Sequence, residues 1–284
     1  MEIGGAMFFT DYAMAADEFA AALEARGFGS VWAPEHSHIP TSRQSPYPPG
    51  GDLPRKYYGC MDPFVSLTLA ATATKTLKLG TGICLVVQRD PIQTAKLVAS
   101  IDQVSKGRFL FGVGNGWNAE EMADHGTDFA SRHKLAQERI EAMKVIWTQT
   151  KAEYHGQFVD FPEMMAWPKP VQTPHPPVIV GGAFPYGARR AIRYGNGWIP
   201  HASRPEYGDV VEFLPRFRQM AAEAGRDLAS LPVSVWGAPE DMDRLNRLRD
   251  AGVARVIISF ESAPAGELLP AMDVWAELIR KLNQ

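Results

Sequence analysis

The chain has 284 residues, with 29 Lys and Arg against 32 Asp and Glu and a formal net charge of −3. That balance gives no electrostatic footing for nucleic acid or an anionic membrane surface. Two cysteines, Cys60 and Cys84, with no CxxC, exclude a disulfide framework and read as reduced thiols of a cytoplasmic protein. The opening MEIGGAMFFTDYAM has neither the basic start of a secretion signal nor an apolar run long enough to span a bilayer, and the length permits one domain over 1–284.

In chain order, Ile3–Phe9 is a first apolar strand, followed by an amphipathic helix from Ala15 to Arg26 that Gly27 stops. Ser30–Ala33 is the second strand and runs directly into Pro34-Glu35-His36. The segment Ser37–Met61, rich in proline and carrying Tyr47, Tyr57 and Tyr58, is too long for a plain connection and reads as an ordered cover. Asp62-Pro63 then caps and opens a helix through Phe64, Leu67, Ala70 and Ala71. Leu77–Val87 is an almost unbroken apolar run, the mark of a strand covered on both faces. Asp90-Pro91 opens a second capped helix, Gly107 stops it, and Arg108–Val113 is the fourth strand.

After Asn118 comes a polar, acidic segment and then a longer helix over Phe129–Thr150. EYHGQFVDF, Glu153–Phe161, alternates about Gly156 as a hairpin does. Val178–Val180, Gly197–Pro200, Pro232–Trp236 and Val253–Phe260 are strands five to eight. The helices that follow them start at Pro185, Val210, Met242 and Leu268. Eight strands alternating with helices predict a (β/α)8 TIM barrel with loop insertions after strands two and four and before strand five. A doubly wound sheet would want a glycine-rich phosphate turn after the first strand, and Phe9-Thr10-Asp11-Tyr12 does not supply one.

In such a barrel, functional side chains gather at the carboxyl ends of the strands. That rule selects Glu35 and His36, then Gly82 to Cys84, Asn115 and Asn118, Gly181 and Gly182, and His201. Gly80, Gly82, Gly112, Gly114 and Gly116 mark either a flat ligand lying across two strand ends or tight packing inside the barrel. Gly181-Gly182-Ala183 running into a helix is suited to an anion held on main-chain amides, with Arg189 or Arg190 to neutralise it. His36 is a proton donor or acceptor that Glu35 tunes by charge. His36-Ser37-His38 has the form of a barrel-hydrolase metal pair, but no Asp follows strand eight, so no metal is expected. His125, His133, His155 and His175 read as solvated.

Several motifs resemble those of the bacterial-luciferase-like oxidoreductases. They are Gly27-Phe28-x-x-Val31-Trp32-x-x-Glu35-His36, Leu79-Gly80-Thr81-Gly82-Ile83 with Arg89-Asp90-Pro91, Gly107-Arg108 with Gly112-Val113-Gly114-x-Gly116-Trp117-Asn118, and Pro174-His175-Pro176-Pro177 with Gly181-Gly182. The resemblance covers nearly the whole chain. Pro46-Tyr47-Pro48-Pro49-Gly50-Gly51 and Asp62-Pro63-Phe64 look most like the coenzyme F420-dependent subgroup.

The resemblance implies a TIM barrel holding F420, a deazaflavin, or alternatively FMN, with the ring in the mouth and the phosphate near strands five and six. It implies a non-proline cis peptide at Gly82-Ile83, His36 as acid or base, and Asn118 as a ring contact. Gly181, Gly182, Ala183 and Arg189 fall at its phosphate. The implied activity is hydride transfer to or from a small organic substrate. FMN-dependent monooxygenation and a non-catalytic flavin-binding role are the alternatives, and a homodimer is the implied assembly. Tyr47, Tyr57, Trp117 and Trp167 point to an apolar substrate lining.

Overall fold

Eight parallel strands pair edge to edge around a barrel in the computed structural model, which describes residues 1–202 and 208–283. The elements run β1 (Glu2–Ala6), α1 (Ala16–Ala25), β2 (Ser30–Ala33), α2 (Arg55–Tyr58), α3 (Pro63–Ala73), β3 (Lys78–Thr81), β4 (Cys84–Leu85), α4 (Pro91–Val104) and β5 (Phe109–Gly114). They continue with α5 (Ala119–Asp124), α6 (Arg132–Thr148), β6 (Ala152–His155), β7 (Asp160–Met164), β8 (Val178–Gly181), α7 (Tyr186–Tyr194), β9 (Trp198–Ile199), α8 (Val210–Glu223), β10 (Ser234–Trp236), α9 (Met242–Asp250), β11 (Arg255–Ser259) and α10 (Ala265–Leu282).

The strand order is β10-β11-β1-β2-β3-β5-β8-β9, and single-residue parallel bridges Trp198–Val233 and His201–Trp236 join its two ends. The chain therefore folds as the TIM barrel its alternating pattern predicts. Among the described residues, no helix is long and apolar enough to cross a membrane.

The helices start where their caps dictate. Asp62 accepts from the amides of Phe64 and Val65 at 2.8 and 3.2 Å, and Asp90 from Gln93 at 2.8 Å, each with proline just inside. Three excursions leave the regular βα alternation. Residues 34–62 cross the barrel mouth with only the single turn α2; α5 precedes α6 after β5; and the antiparallel pair β6–β7 with a proline-rich run precedes β8.

The predicted continuous strand Leu77–Val87 is interrupted. β3 ends at Thr81, the Gly82–Ile83 peptide is cis, β4 pairs separately with β5, and Val86–Gln88 form a short 3-10 turn. The apolar run misleads because Val86 and Val87 are buried under helices as completely as the strand residues before them.

Packing inside the barrel explains part of the glycine pattern. Trp32 is fully buried among Ala6, Leu110, Ile179, Ile199 and Ile257, and its indole nitrogen donates to Ser30 Oγ at 3.0 Å. A Cβ on Gly80 would lie 2.3 Å from the Trp32 ring, and one on Gly112 would lie 1.9 Å from the Thr81 carbonyl oxygen. These two glycines make room for the tryptophan and for neighbouring backbone. At the opposite end, Arg255 donates to Glu2 at 2.6 Å and to Ser234 at 3.0 Å below Trp32, closing the amino-terminal face.

Candidate active site

At the carboxyl ends of the strands lies a cavity of about 340 Å³. The ends of β2, β3, β5, β8 and β9 bring His36, Gly82, Ile83, Asn115, Gly181, Gly182, Ala183 and His201 to its walls. Its volume lies within the range of small-ligand pockets, and no side chain of the described residues fills it.

On one wall, the short buried strand β2 delivers His36. Its Nδ1 lies 2.8 Å from Glu121 Oε2, and the side chains are 6 % and 1 % exposed. Burial alone would raise the Glu121 carboxyl, but the hydrogen bond and charge of His36, with the Ser37 amide at 3.0 Å, hold it below its ordinary value. The ionised carboxylate therefore accepts a hydrogen bond from Nδ1–H and commits that nitrogen, so that Nε2 is the ring nitrogen turned to the mouth. Tyr57 and Trp117 pack against the imidazole, with ring centroids at 5.4 and 5.7 Å, and Tyr47 packs against both. Trp167 stays outside, exposed beside Lys169. The cover segment is fastened to α5 through Glu120, which accepts from Ser42 Oγ and from the amides of Gln44 and Ser45.

Glu35 engages Arg89, not His36. Its carboxylate accepts from Arg89 Nε at 2.5 Å and from the Leu85 amide at 2.7 Å, while Arg89 also reaches Asp62. Burial pushes the Glu35 carboxyl up and Arg89 pulls it back. The pair ties the end of β2 to β4, just past the cis peptide, and to the start of α3.

Asn118, expected as a ring contact, is buried and caps α5, accepting from the Glu121 amide at 3.2 Å; it is not among the cavity's lining residues, and its buried Nδ2 has no hydrogen-bond partner among the described residues. His36 and His38 engage different carboxylates, Glu121 and Asp124.

The far wall is the corner between β8 and α7. Gly182 has φ of +134°, a conformation side chains resist, and the Trp198 indole donates to its carbonyl at 2.9 Å. A Cβ on Gly187 would lie 2.2 Å from that same oxygen, so the helix start sits flush on the corner. Ile83 projects between Gly114 and Gly181, which supply the room it occupies.

The basic residue at this corner is Arg190. Arg189 is exposed over the Tyr186 ring and faces an outer groove, whereas Arg190 is half-buried and lines the mouth. Arg190 acts together with Arg132 and His133 of α6. The Nε atoms of both arginines are buried without a hydrogen-bond partner, and neither arginine is ion-paired among the described residues. His133, read from sequence as solvated, lies at the cavity rim and bonds Asn115. Partial burial and the charges of Arg190 and Arg132 hold it down to about 4, hence neutral near pH 7. Arg190 lines the cavity, whereas Arg132 is not among its lining residues, its Nη1 donating to the Phe129 carbonyl at 2.6 Å; a partly desolvated cation such as Arg190, with no carboxylate partner among the described residues, is suited to an anion.

Glu121, Arg132 and His133 are the site residues that sequence reasoning missed. The Asn118-x-x-Glu121 spacing was a visible capping signal, whereas nothing local marks Arg132 and His133.

The mouth of this parallel barrel thus carries the His36–Glu121 pair on one wall and Arg190 beside a glycine corner on the other, a cleft suited to a small anionic ligand. The profile of the family described as luciferase-like monooxygenase matches residues 10–239, and the chain belongs to that family. It is 38% identical over 275 residues to an uncharacterized protein of Mycobacterium tuberculosis, covering 94% of each chain. It is 29% identical over 215 residues to the F420-dependent hydroxymycolic acid dehydrogenase of the same organism, covering 75% of this chain and 55% of that one. To the FMNH2-dependent dimethylsulfone monooxygenase of Pseudomonas putida it is 35% identical over 155 residues, 52% of this chain and 42% of that one. Among solved structures, monooxygenase RslO1 from Streptomyces bottropensis superposes with a TM-score of 0.81 at 20% identity over 100% of both chains. The family thus includes both F420-dependent and FMN-dependent oxidoreductases.

Proposed function

We propose that this protein is a coenzyme F420-dependent oxidoreductase that moves a hydride to or from a small organic substrate. The observation that carries the reading is His36, clamped on buried Glu121 and facing the mouth beside Gly82–Ile83. The residues fit such a cofactor: Arg190, whose buried Nε has no hydrogen-bond partner among the described residues, is suited to an anion, and the cavity it lines has room for a ring.

When bound, a deazaflavin supplies a ring carbon able to give or accept a hydride. The rest of the work falls to the protein. Gly182, Ala183 and Arg190 would hold the phosphate, Ile83 would line the ring's site, and Tyr57 and Trp117, with Tyr47 packed on them, would keep water out. His36 Nε2 accepts a proton from a substrate hydroxyl in the oxidative direction and returns it to a carbonyl oxygen in the reverse direction. Glu121 balances the charge on the imidazole as it becomes protonated.

Binding titrations of F420 and FMN, followed by fluorescence, test this. F420 is expected to bind at least tenfold more tightly, and tighter binding of FMN would overturn it. The second reading, FMN-dependent monooxygenation, is favoured by the Pseudomonas putida relative. His36→Ala separates either enzyme from a non-catalytic carrier, because an enzyme keeps its cofactor and loses turnover.

A further inference from the structure

Behind His36, on the side away from the cavity, a file of polar groups leads outward. Glu121 Oε2 meets His36 Nδ1 at 2.8 Å, and Glu121 Oε1 lies 3.0 Å from the Ser37 amide and 3.4 Å from Ser37 Oγ. Ser37 Oγ in turn lies 2.7 Å from His125 Nε2 and 2.9 Å from His38 Nδ1. His38 Nε2 ends the file on Asp124 at 2.9 Å.

Glu121 is buried, its side chain 1 % accessible, and the file comes out to solvent from Ser37 onward: Ser37 and His125 are exposed, and the His38 and Asp124 side chains are 41 % and 61 % accessible. Ser37 and His125 also line a second crevice of about 330 Å³, which shares only Glu35 with the mouth.

We propose that Glu121, Ser37 and the His38–His125 pair form a proton relay that connects His36 to solvent through the back of the site. The inference rests on His36 being the acid or base of the proposed function, but its geometry does not depend on which cofactor fills the mouth. In the outward direction, once Nε2 has taken a proton and the ring is cationic, His36 Nδ1 passes its proton to Glu121 Oε2, which leaves a neutral imidazole with its remaining proton on Nε2. A half-turn of the carboxyl presents that proton to Ser37 Oγ. Ser37 accepts it while releasing its own proton to His125 Nε2 or His38 Nδ1. The net change is one proton moved from His36 to an outer imidazole, with Glu121 ionised and Ser37 neutral again. Such a route is useful here because a cofactor and substrate in the mouth cut His36 off from water on that side.

Proton exchange at His36 in the free protein tests the relay without cofactor or substrate. In histidine-15N-labelled protein, the Nδ1 proton bonded to Glu121 is followed by saturation transfer from water. Ser37→Ala is expected to slow its exchange at least tenfold while leaving its chemical shift in place, so that the His36–Glu121 contact is seen to be intact. Ser37→Thr, which restores the hydroxyl, is expected to restore the rate. The double variant His38→Asn/His125→Asn is expected to slow exchange as Ser37→Ala does. Unchanged exchange in Ser37→Ala or in the double variant would overturn the relay. Failure of F420 to bind would overturn the proposed function and leave this result standing.

Discussion

His36 and Glu121 stand 85 positions apart in sequence and 2.8 Å apart in space. The contact joins the end of β2 to the first turn of α5, so the geometry of the reactive imidazole is set by a helix cap, Asn118, that never touches the cavity. Removing either partner leaves the other in a desolvated pocket, and the consequences can be measured.

In His36→Ala, Glu121 keeps its burial and loses the partner that lowers its pKa. Its carboxyl is therefore expected to rise above its value in the parent protein, read by 13C titration of labelled glutamate side chains. In the parent, a depressed carboxyl stabilises the fold above its unfolded pKa and loses that contribution as pH falls through the folded value. His36→Ala is expected to flatten this part of the acid-unfolding curve, and an unchanged Glu121 titration would refute the pairing.

Arg190→Gln and Arg189→Gln distinguish the inner from the outer cation. A charge-assisted hydrogen bond to a phosphate contributes about 1.5–3 kcal/mol, so Arg190→Gln is expected to weaken F420 binding by roughly tenfold to a hundredfold. Arg189→Gln is expected to change it by less than about threefold, since that side chain lies outside the mouth. The Arg190 variant is also expected to raise the pKa of His133 from about 4, because one of the charges holding it down is gone.

The amino-terminal plug gives an acid-stability prediction. Burial raises the Glu2 carboxyl, but the hydrogen bonds and charges of Arg255 and Lys78 prevail and bring it to about 2 from 4.5. This depressed carboxyl contributes on the order of 3 kcal/mol above the unfolded pKa, and the contribution disappears as pH falls toward 2. In urea unfolding, Glu2→Gln is expected to be less stable than the parent at pH 7 by an amount that shrinks to about half at pH 3.

The glycines of the barrel wall are expected to resist even a methyl group. Gly112→Ala would place Cβ 1.9 Å from a backbone oxygen and Gly80→Ala would place it 2.3 Å from the Trp32 ring, so each should cost more than about 3 kcal/mol by strand displacement or repacking. Gly266→Ala, in the first turn of α10 with nothing near its Cβ, is the control and should be neutral or stabilising by up to about 1 kcal/mol. Thermal unfolding of the three variants checks the contrast.

The barrel was legible in the sequence because its signals are local: apolar strands without alternation, Asp-Pro caps at Asp62 and Asp90, and glycine stops at Gly27 and Gly107. The position of His36 followed from the strand-end rule alone. Partners were harder. Glu35, adjacent in sequence, was the natural mate for His36, yet Arg89 claims it, and the true mate belongs to another βα unit. Arg189 and Arg190 are indistinguishable by composition, and only the helical rotation of about 100° between them decides which one enters the mouth. The interruption at Gly82–Ile83 was hidden from periodicity because both sides of it are equally apolar.

The barrel is unevenly hooped. β1 shares a five-residue register with β11 and β2 a four-residue register with β3, whereas β9 is two residues long and reaches β10 only through isolated bridges. Fewer ladder bonds make opening cheaper, so amides along β9 and β10 should exchange with deuterium ahead of those in β1 and β2. The stave that carries His36 is therefore the stiff one. The slack lies beside the corner of Gly182 and Arg190, where the wall can yield without moving the imidazole.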